Sequence, residues 1–178
     1  ATATFYRSTT DFGTNTVDSD IGSSGVVDLE NASYDTVGEL VDHINKVLTR
    51  RAIDARYATM LYGQVNQDGL LTFCNAGHNP PLVYGVDGLK RIESGGMPVG
   101  LFEFAPYSVD SLQLKPGDTM VFYSDGVTEA HNVAGEEFGE ARLVEVMQRT
   151  YQSSADVVLE QIISAVQEFA RGAEQYDD

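Results

Sequence analysis

Tryptophan is absent from the 178 residues, and cysteine occurs once, at Cys74. A lone thiol excludes an intrachain disulfide, and the three separated histidines, His43, His78 and His131, supply no zinc-ligand pattern. Basic residues are also scarce: 11 lysines and arginines stand against 27 aspartates and glutamates, a formal net charge of -16. Such a field repels nucleic-acid backbones and anionic membranes at long range, so neither is expected as a partner. No apolar run has the length of a membrane span, and none at the N-terminus has the form of a signal peptide, so a cytoplasmic protein is expected. Nucleophile-elbow, dinucleotide and P-loop signatures are missing too.

What is present is an ordinary globular composition, 42% hydrophobic and 21% charged, in a length suited to one domain spanning residues 1–178. The stretch from Asp11 to Ser33 is rich in Thr, Ser, Asp, Asn and Gly and reads as loop. Residues Ala1 to Arg7 suit either a strand or the tail of a helix. After the caps Ser33 and Asp35, Val37, Leu40, Val41, Ile44, Val47 and Leu48 form one helical stripe that should end near Arg50. Tyr57–Val65 and Leu70–Cys74, joined by Gln67-Asp68-Gly69, read as a hairpin. Short strands follow at Leu82–Tyr84, Leu89–Ile92, Tyr107–Leu114 and Thr119–Tyr123, the last two joined by Lys115-Pro116-Gly117-Asp118. Two amphipathic helices close the chain, one through Leu143, Val144 and Met147, the other through Val157 to Phe169 behind Ser153 and Ser154. Strands clustered between helices, with no crossover helix among them, point to an α+β layered sandwich rather than alternating βαβ units.

Three places could carry chemistry. In Ser124-Asp125-Gly126 an apolar strand stops at an aspartate, and the glycine lets the backbone approach a ligand closely. That is how a metal-binding carboxylate is commonly presented, although the same tripeptide also makes a plain turn in which Asp accepts backbone N–H groups. Asn75-Ala76-Gly77-His78-Asn79-Pro80-Pro81 places His78 in a loop between strands, where packing or solvation competes with chemistry. Asp177 and Asp178 pair two carboxylates that could hold a hard cation or simply form an acidic tail.

Taken in order, Arg56-Tyr57-Ala58-Thr59-Met60-Leu61-Tyr62-Gly63, Asn75 to Pro81, Gly95-Gly96-Met97-Pro98-Val99-Gly100, Leu114 to Asp118, Ser124-Asp125-Gly126-Val127-Thr128-Glu129-Ala130 and Gly135-Glu136-Glu137-Phe138-Gly139 form a recognisable series. With it the sequence resembles the bacterial PPM-type serine/threonine phosphatases of the stage II sporulation protein E class, relatives of protein phosphatase 2C. The match runs over residues 34–178, and residues 1–33 match poorly. The resemblance implies an α-β-β-α sandwich of two mainly antiparallel sheets flanked by helices, with a manganese or magnesium pair at one end. It implies hydrolysis of phosphoserine or phosphothreonine on a small regulatory protein such as an anti-anti-sigma (STAS) factor, by a metal-bridging water without a covalent phosphoenzyme. Asp125 corresponds to the metal aspartate of the S/T-D-G-V-T-E-A block, and Asp177, with Asp178 beside it, to the C-terminal D-D-x-T motif. Gly126 and His78 fall near the active-site end, with His78 read as fixing its turn in preference to a catalytic step.

The family's G-D-x-x-D and D-V-S-G-H-G blocks are not found before the helix at Val37, and Asp20 to Gly25 imitates the second only superficially. Ala1–Arg7 is accordingly expected to be the end of the helix that follows that block, with the domain truncated at both ends. Open sheet edges would then invite pairing, a homodimer being one way to close them. Weak metal binding and low activity are expected of such a chain. A non-catalytic pseudophosphatase or regulatory binding module of the same fold is the alternative.

Overall fold

The computed structural model describes residues 5–7, 36–50, 57–93 and 95–173. The strands are β1 (Phe5–Arg7), β2 (Met60–Val65), β3 (Leu70–Ala76), β4 (Leu82–Gly85), β5 (Gly88–Arg91), β6 (Asp110–Gln113) and β7 (Thr119–Val121). The helices are α1 (Val37–Arg50), α2 (Asp125–Thr128), α3 (Gly139–Thr150) and α4 (Ala155–Phe169). These elements gather into two compact units.

The first unit holds a four-stranded antiparallel sheet in the order β1-β7-β4-β5, together with α2, α3 and α4. Val121 lies between Phe5 and Leu82 in register, so β7 is a central strand. Leu82, Val121 and Tyr123 from the sheet region pack with Val127, Phe138, Leu143, Val146, Met147, Val158 and Ile162 from the helical segments. Leu143, Val146 and Met147 fall on one face of α3 through their spacing of three and four, as do Val158 and Ile162 on α4. Each such side chain removed from water contributes about 1.5–3 kcal/mol before ordering entropy is charged. Ser154 caps α4 by accepting from Val157 N at 3.4 Å.

Arg142 joins the two helices' ends. Its guanidinium sits 4.5 Å from the Phe169 ring centroid and donates to the carbonyls of Glu137 and Phe138 at 2.9 and 2.8 Å. One close approach in this unit demands glycine. A Cβ on Gly85 would fall 1.9 Å from Asp118 Oδ1, the carboxylate that closes the Lys115–Asp118 turn by accepting from Lys115 N.

The second unit holds the three-stranded antiparallel sheet β2-β3-β6 and α1. Val37, Leu40, Val41 and Ile44 of α1 pack with Cys74 and Ala76 of β3 and with Val99. The helix is capped by Thr36, whose Oγ1 accepts from Glu39 N at 3.2 Å. The cap is therefore later than the Ser33 and Asp35 read from the sequence, and both of those residues lie outside the described set. Asn45 is the polar exception on the buried face of α1, at 0% exposure. Its Nδ2 donates to the carbonyls of Phe102 and Glu103, at 2.9 and 3.2 Å, and its Oδ1 accepts from Gly100 N at 2.8 Å. One side chain thus fixes the loop after Val99.

The α+β class with two antiparallel sheets and accompanying helices agrees with the sequence expectation. Two details differ. Phe5–Arg7 is not the end of a helix but a strand paired with β7, a conformation for which Phe and Tyr have high preference. The strands on either side of the Lys115–Asp118 turn enter different sheets: β6 pairs with β3, whereas β7 pairs with β1 and β4. A tight turn reports a reversal of the chain but not the sheet that each flanking strand joins.

Replacing Asn45 by alanine would leave two carbonyls and one N–H without their partner in a buried setting. The expected loss is about 3 kcal/mol of unfolding free energy, read by urea denaturation with an unchanged m-value.

Candidate functional site

Asp125 stands where the sheet of the first unit gives way to helix. It is the first residue of α2, follows the extended Ser124 (φ -86°, ψ 165°), and is exposed. The positions around it are not free to move. Tyr123 and Val127 are buried in the same apolar cluster, so the turn that carries Ser124, Asp125 and Gly126 is fastened on both sides. Asp125 Oδ1 accepts from Gly126 N at 3.0 Å, and the Asp125 carbonyl accepts from Glu129 N at 2.7 Å. Gly126 therefore supplies an N–H to the carboxylate from directly beside it.

Ser124 is the odd member of this turn. It occupies the cap position of α2, but its side chain makes no capping hydrogen bond. Its Oγ is buried and, among the described residues, has no hydrogen-bond partner.

Tyr123 is anchored through its phenol. The hydroxyl donates to Glu140 Oε2 at 3.2 Å, and Glu140 Oε1 accepts from Arg91 Nε at 2.8 Å and also from Arg91 Nη2. Burial, followed by the neighbouring Glu140 carboxylate, pushes the Tyr123 pKa up from 10.0 to about 12. The Arg91–Glu140 ion pair ties β5 to the first turn of α3, with the tyrosine two residues beyond β7 as its third member.

His78 lies in the second unit, in a turn built by Asn75 rather than by the histidine ring. Asn75 is only 3% exposed; its Oδ1 accepts from His78 N at 2.8 Å and its Nδ2 donates to the His78 carbonyl at 2.9 Å. The Asn75 carbonyl in turn accepts from Gly96 N at 2.7 Å. Gly77 has φ +78°, and a Cβ there would meet Pro98 within 2.8 Å. Both conditions require glycine at that position. The His78 Nδ1 lies 3.5 Å from Thr59 Oγ1. The sequence signal for Asn75 is an amide three residues before His78, a spacing that lets a side chain bridge one turn.

Of the residues singled out from sequence, Asp125 and Gly126 stand together in the first unit and His78 in the second. Asp177, Asp178 and the Asp20–Gly25 segment lie outside the described residues. Among the described residues no group of three or more His, Cys, Asp or Glu is placed to hold a metal ion. What they do provide is an exposed carboxylate beside a buried hydroxyl with no hydrogen bond. Both are hard oxygen donors of the kind that Mg2+ and Mn2+ take, and they fit one side of such a site.

The two-sheet α+β fold is that of PP2C phosphatase domains. The solved PP2C phosphatase domain with a fragment of the regulatory domain of the cell fate determinant SpoIIE from Bacillus subtilis superposes with TM-score 0.61 at 26% identity, covering 80% of this chain and 42% of that one. The chain belongs to the stage II sporulation protein E (SpoIIE) family, whose model matches residues 23–178. Among curated proteins it is 31% identical over 137 residues to Protein IcfG of Synechocystis, 74% of this chain and 21% of that protein. It is 28% identical over 100 residues to phosphoserine phosphatase RsbU of Bacillus subtilis, covering 54% of this chain and 30% of RsbU. The chain thus spans less than a third of the length of these relatives.

Two outcomes test this geometry. Gly77→Ala combines a left-handed φ with a clash against Pro98, and should lower stability by about 2 kcal/mol or more, measured as a lowered urea midpoint. For Tyr123 the neutral phenol is the favoured form in the folded state. Its contribution is therefore fully present below the unfolded value near 10.0 and is lost as pH rises through about 12. Urea denaturation at a series of alkaline pH values should record that loss, and Tyr123→Phe should flatten it.

Proposed function

We propose that this chain is the catalytic portion of a metal-dependent protein serine/threonine phosphatase. Its substrate is a phosphorylated regulatory protein of the anti-anti-sigma (STAS) kind. The observation that carries this reading is the exposed Asp125 carboxylate, set at the start of α2 between the fastened residues Tyr123 and Val127. Membership of the SpoIIE family and similarity to a phosphoserine phosphatase support the reaction class.

In this reading Asp125 holds a Mn2+ or Mg2+ ion together with Asp177 and Asp178 of the C-terminal segment. A divalent ion of this type, when bound, lowers the pKa of water and neutralises phosphate oxygens. The chain's own part is to present the carboxylate in a fixed place. Tyr123 and Val127 hold the turn, Gly126 N orients Oδ1, and Asn75 sets the turn that carries His78.

Manganese titration by calorimetry, run beside hydrolysis of p-nitrophenyl phosphate and of a phosphoserine STAS protein, tests the proposal. Asp125→Asn keeps the shape and removes the charge. It should abolish Mn2+ binding at the site and lower turnover by at least about 100-fold. Equal Mn2+ binding and turnover by the two proteins would remove Asp125 from the site. Absence of both from the unsubstituted chain would favour a binding module of the same fold.

A further inference from the structure

A buried hydroxyl without a hydrogen bond is uncommon, because leaving such a group unsatisfied lowers the stability of a folded chain. Ser124 Oγ is the buried side-chain atom in that condition among the described residues. Its position is unusual in a second respect. Serine at a helix start ordinarily repays its burial by accepting from a backbone N–H, as Ser154 does from Val157 N. Ser124 occupies the same place on α2 and does not. The hydroxyl is therefore not spent on local structure.

The turn that carries it is anchored from the strand side. Val121 and Tyr123 both enter the apolar cluster with residues of α3 and α4. Ser124 follows Tyr123 in extended conformation (φ -86°, ψ 165°). Asp125 follows immediately, with its carboxylate exposed and one oxygen engaged by Gly126 N. A charged oxygen donor and an unspent hydroxyl thus sit on adjacent residues of one anchored turn.

We infer that Ser124 is a positioning residue of the cation site, its hydroxyl hydrogen-bonding to the water shell of the divalent ion that Asp125 engages. This inference rests on the reading of Asp125 as a metal ligand. It assigns a role to the serine that the carboxylate cannot fill, since a hydroxyl can donate as well as accept. It also explains why the chain tolerates an unsatisfied buried group at this place: polar groups left unsatisfied for the sake of a ligand are a cost in stability that the ligand repays.

The consequence is a separation of stability from binding that a merely structural serine would not produce. Ser124→Ala deletes an unsatisfied polar atom. Its melting temperature without metal should stay level or rise, while Mn2+ affinity by calorimetry falls about threefold to tenfold, the equivalent of one hydrogen bond. Ser124→Thr keeps the hydroxyl and should restore the affinity. A fall in melting temperature for Ser124→Ala, or unchanged Mn2+ affinity, would overturn the inference while leaving Asp125 as a ligand. An unsubstituted chain that takes up no Mn2+ overturns the inference together with the reading beneath it.

Discussion

An exposed carboxylate is useful for chemistry only if something buried holds it still, and in this chain that constraint is met by a spacing of four residues. Tyr123 and Val127 enter the same apolar cluster, and between them the backbone has room for one turn only. Ser124, Asp125 and Gly126 are that turn. The cluster is assembled from β4, the β7 region, α2, α3 and α4, so the position of Asp125 depends on most of the first unit. The Arg91–Glu140–Tyr123 network adds a polar tie to the same strand end, at a point where a purely apolar contact would fix depth but not rotation.

The second unit solves a similar problem with amides. Asn45 and Asn75 are both nearly inaccessible to solvent, and each exchanges hydrogen bonds in both directions with backbone groups of a loop. A buried asparagine carries two donors and an acceptor of fixed geometry, and can specify a loop only if that loop satisfies them. The loop after Val99 and the turn at His78 do so. Gly77 and Pro98 complete the arrangement sterically, the first by a φ that only glycine adopts without strain, the second by filling the space where a Cβ would stand.

Periodicity in the sequence located the parts that depend on one face being buried. The stripe from Val37 to Leu48 marked α1 with its end at Arg50, and Leu143 with Met147, then Val158 with Ile162, marked α3 and α4. The hairpin of β2 and β3 was legible for the same reason, together with its Asp68-Gly69 turn. Partners far apart in sequence left no such trace. That β6 joins β3 while β7 joins β1 and β4 is a matter of pairing between segments distant in sequence, and turn chemistry at Lys115–Asp118 is silent on it. Asn45 gives no sign of its role in the sequence, because its partners lie more than fifty residues away. The Asp125 turn was visible as an apolar strand stopped by Ser-Asp-Gly, but its anchoring by Glu140 and the unsatisfied Ser124 hydroxyl required coordinates.

Charge bears on the proposed reaction through what the cations are already doing. Lys46 faces Asp42, Arg50 faces Glu103, Lys90 and Lys115 share Asp87, Arg91 holds Glu140, and Arg171 meets Glu168. Arg142 is laid over Phe169 and bound to two carbonyls, and Arg149 donates to the Glu145 carbonyl. The ion pairs also hold their lysine and arginine partners to acids: Lys115 and Arg91 have raised pKa values, and Asp87 a lowered one, chiefly through these hydrogen bonds. A phosphate dianion approaching a chain of net charge -16 therefore finds the described lysine and arginine side chains engaged within the fold. On the proposed reading, positive charge to stabilise it comes from another source. A divalent cation at carboxylates meets that need in a way that a further arginine would not, because it converts negative charge, which this chain has in excess, into an anion-binding centre. On the proposed reading the acidic composition would be no obstacle to a phosphoprotein substrate: it would make the reaction conditional on the ion, and would leave the long-range attraction to be supplied by the partner.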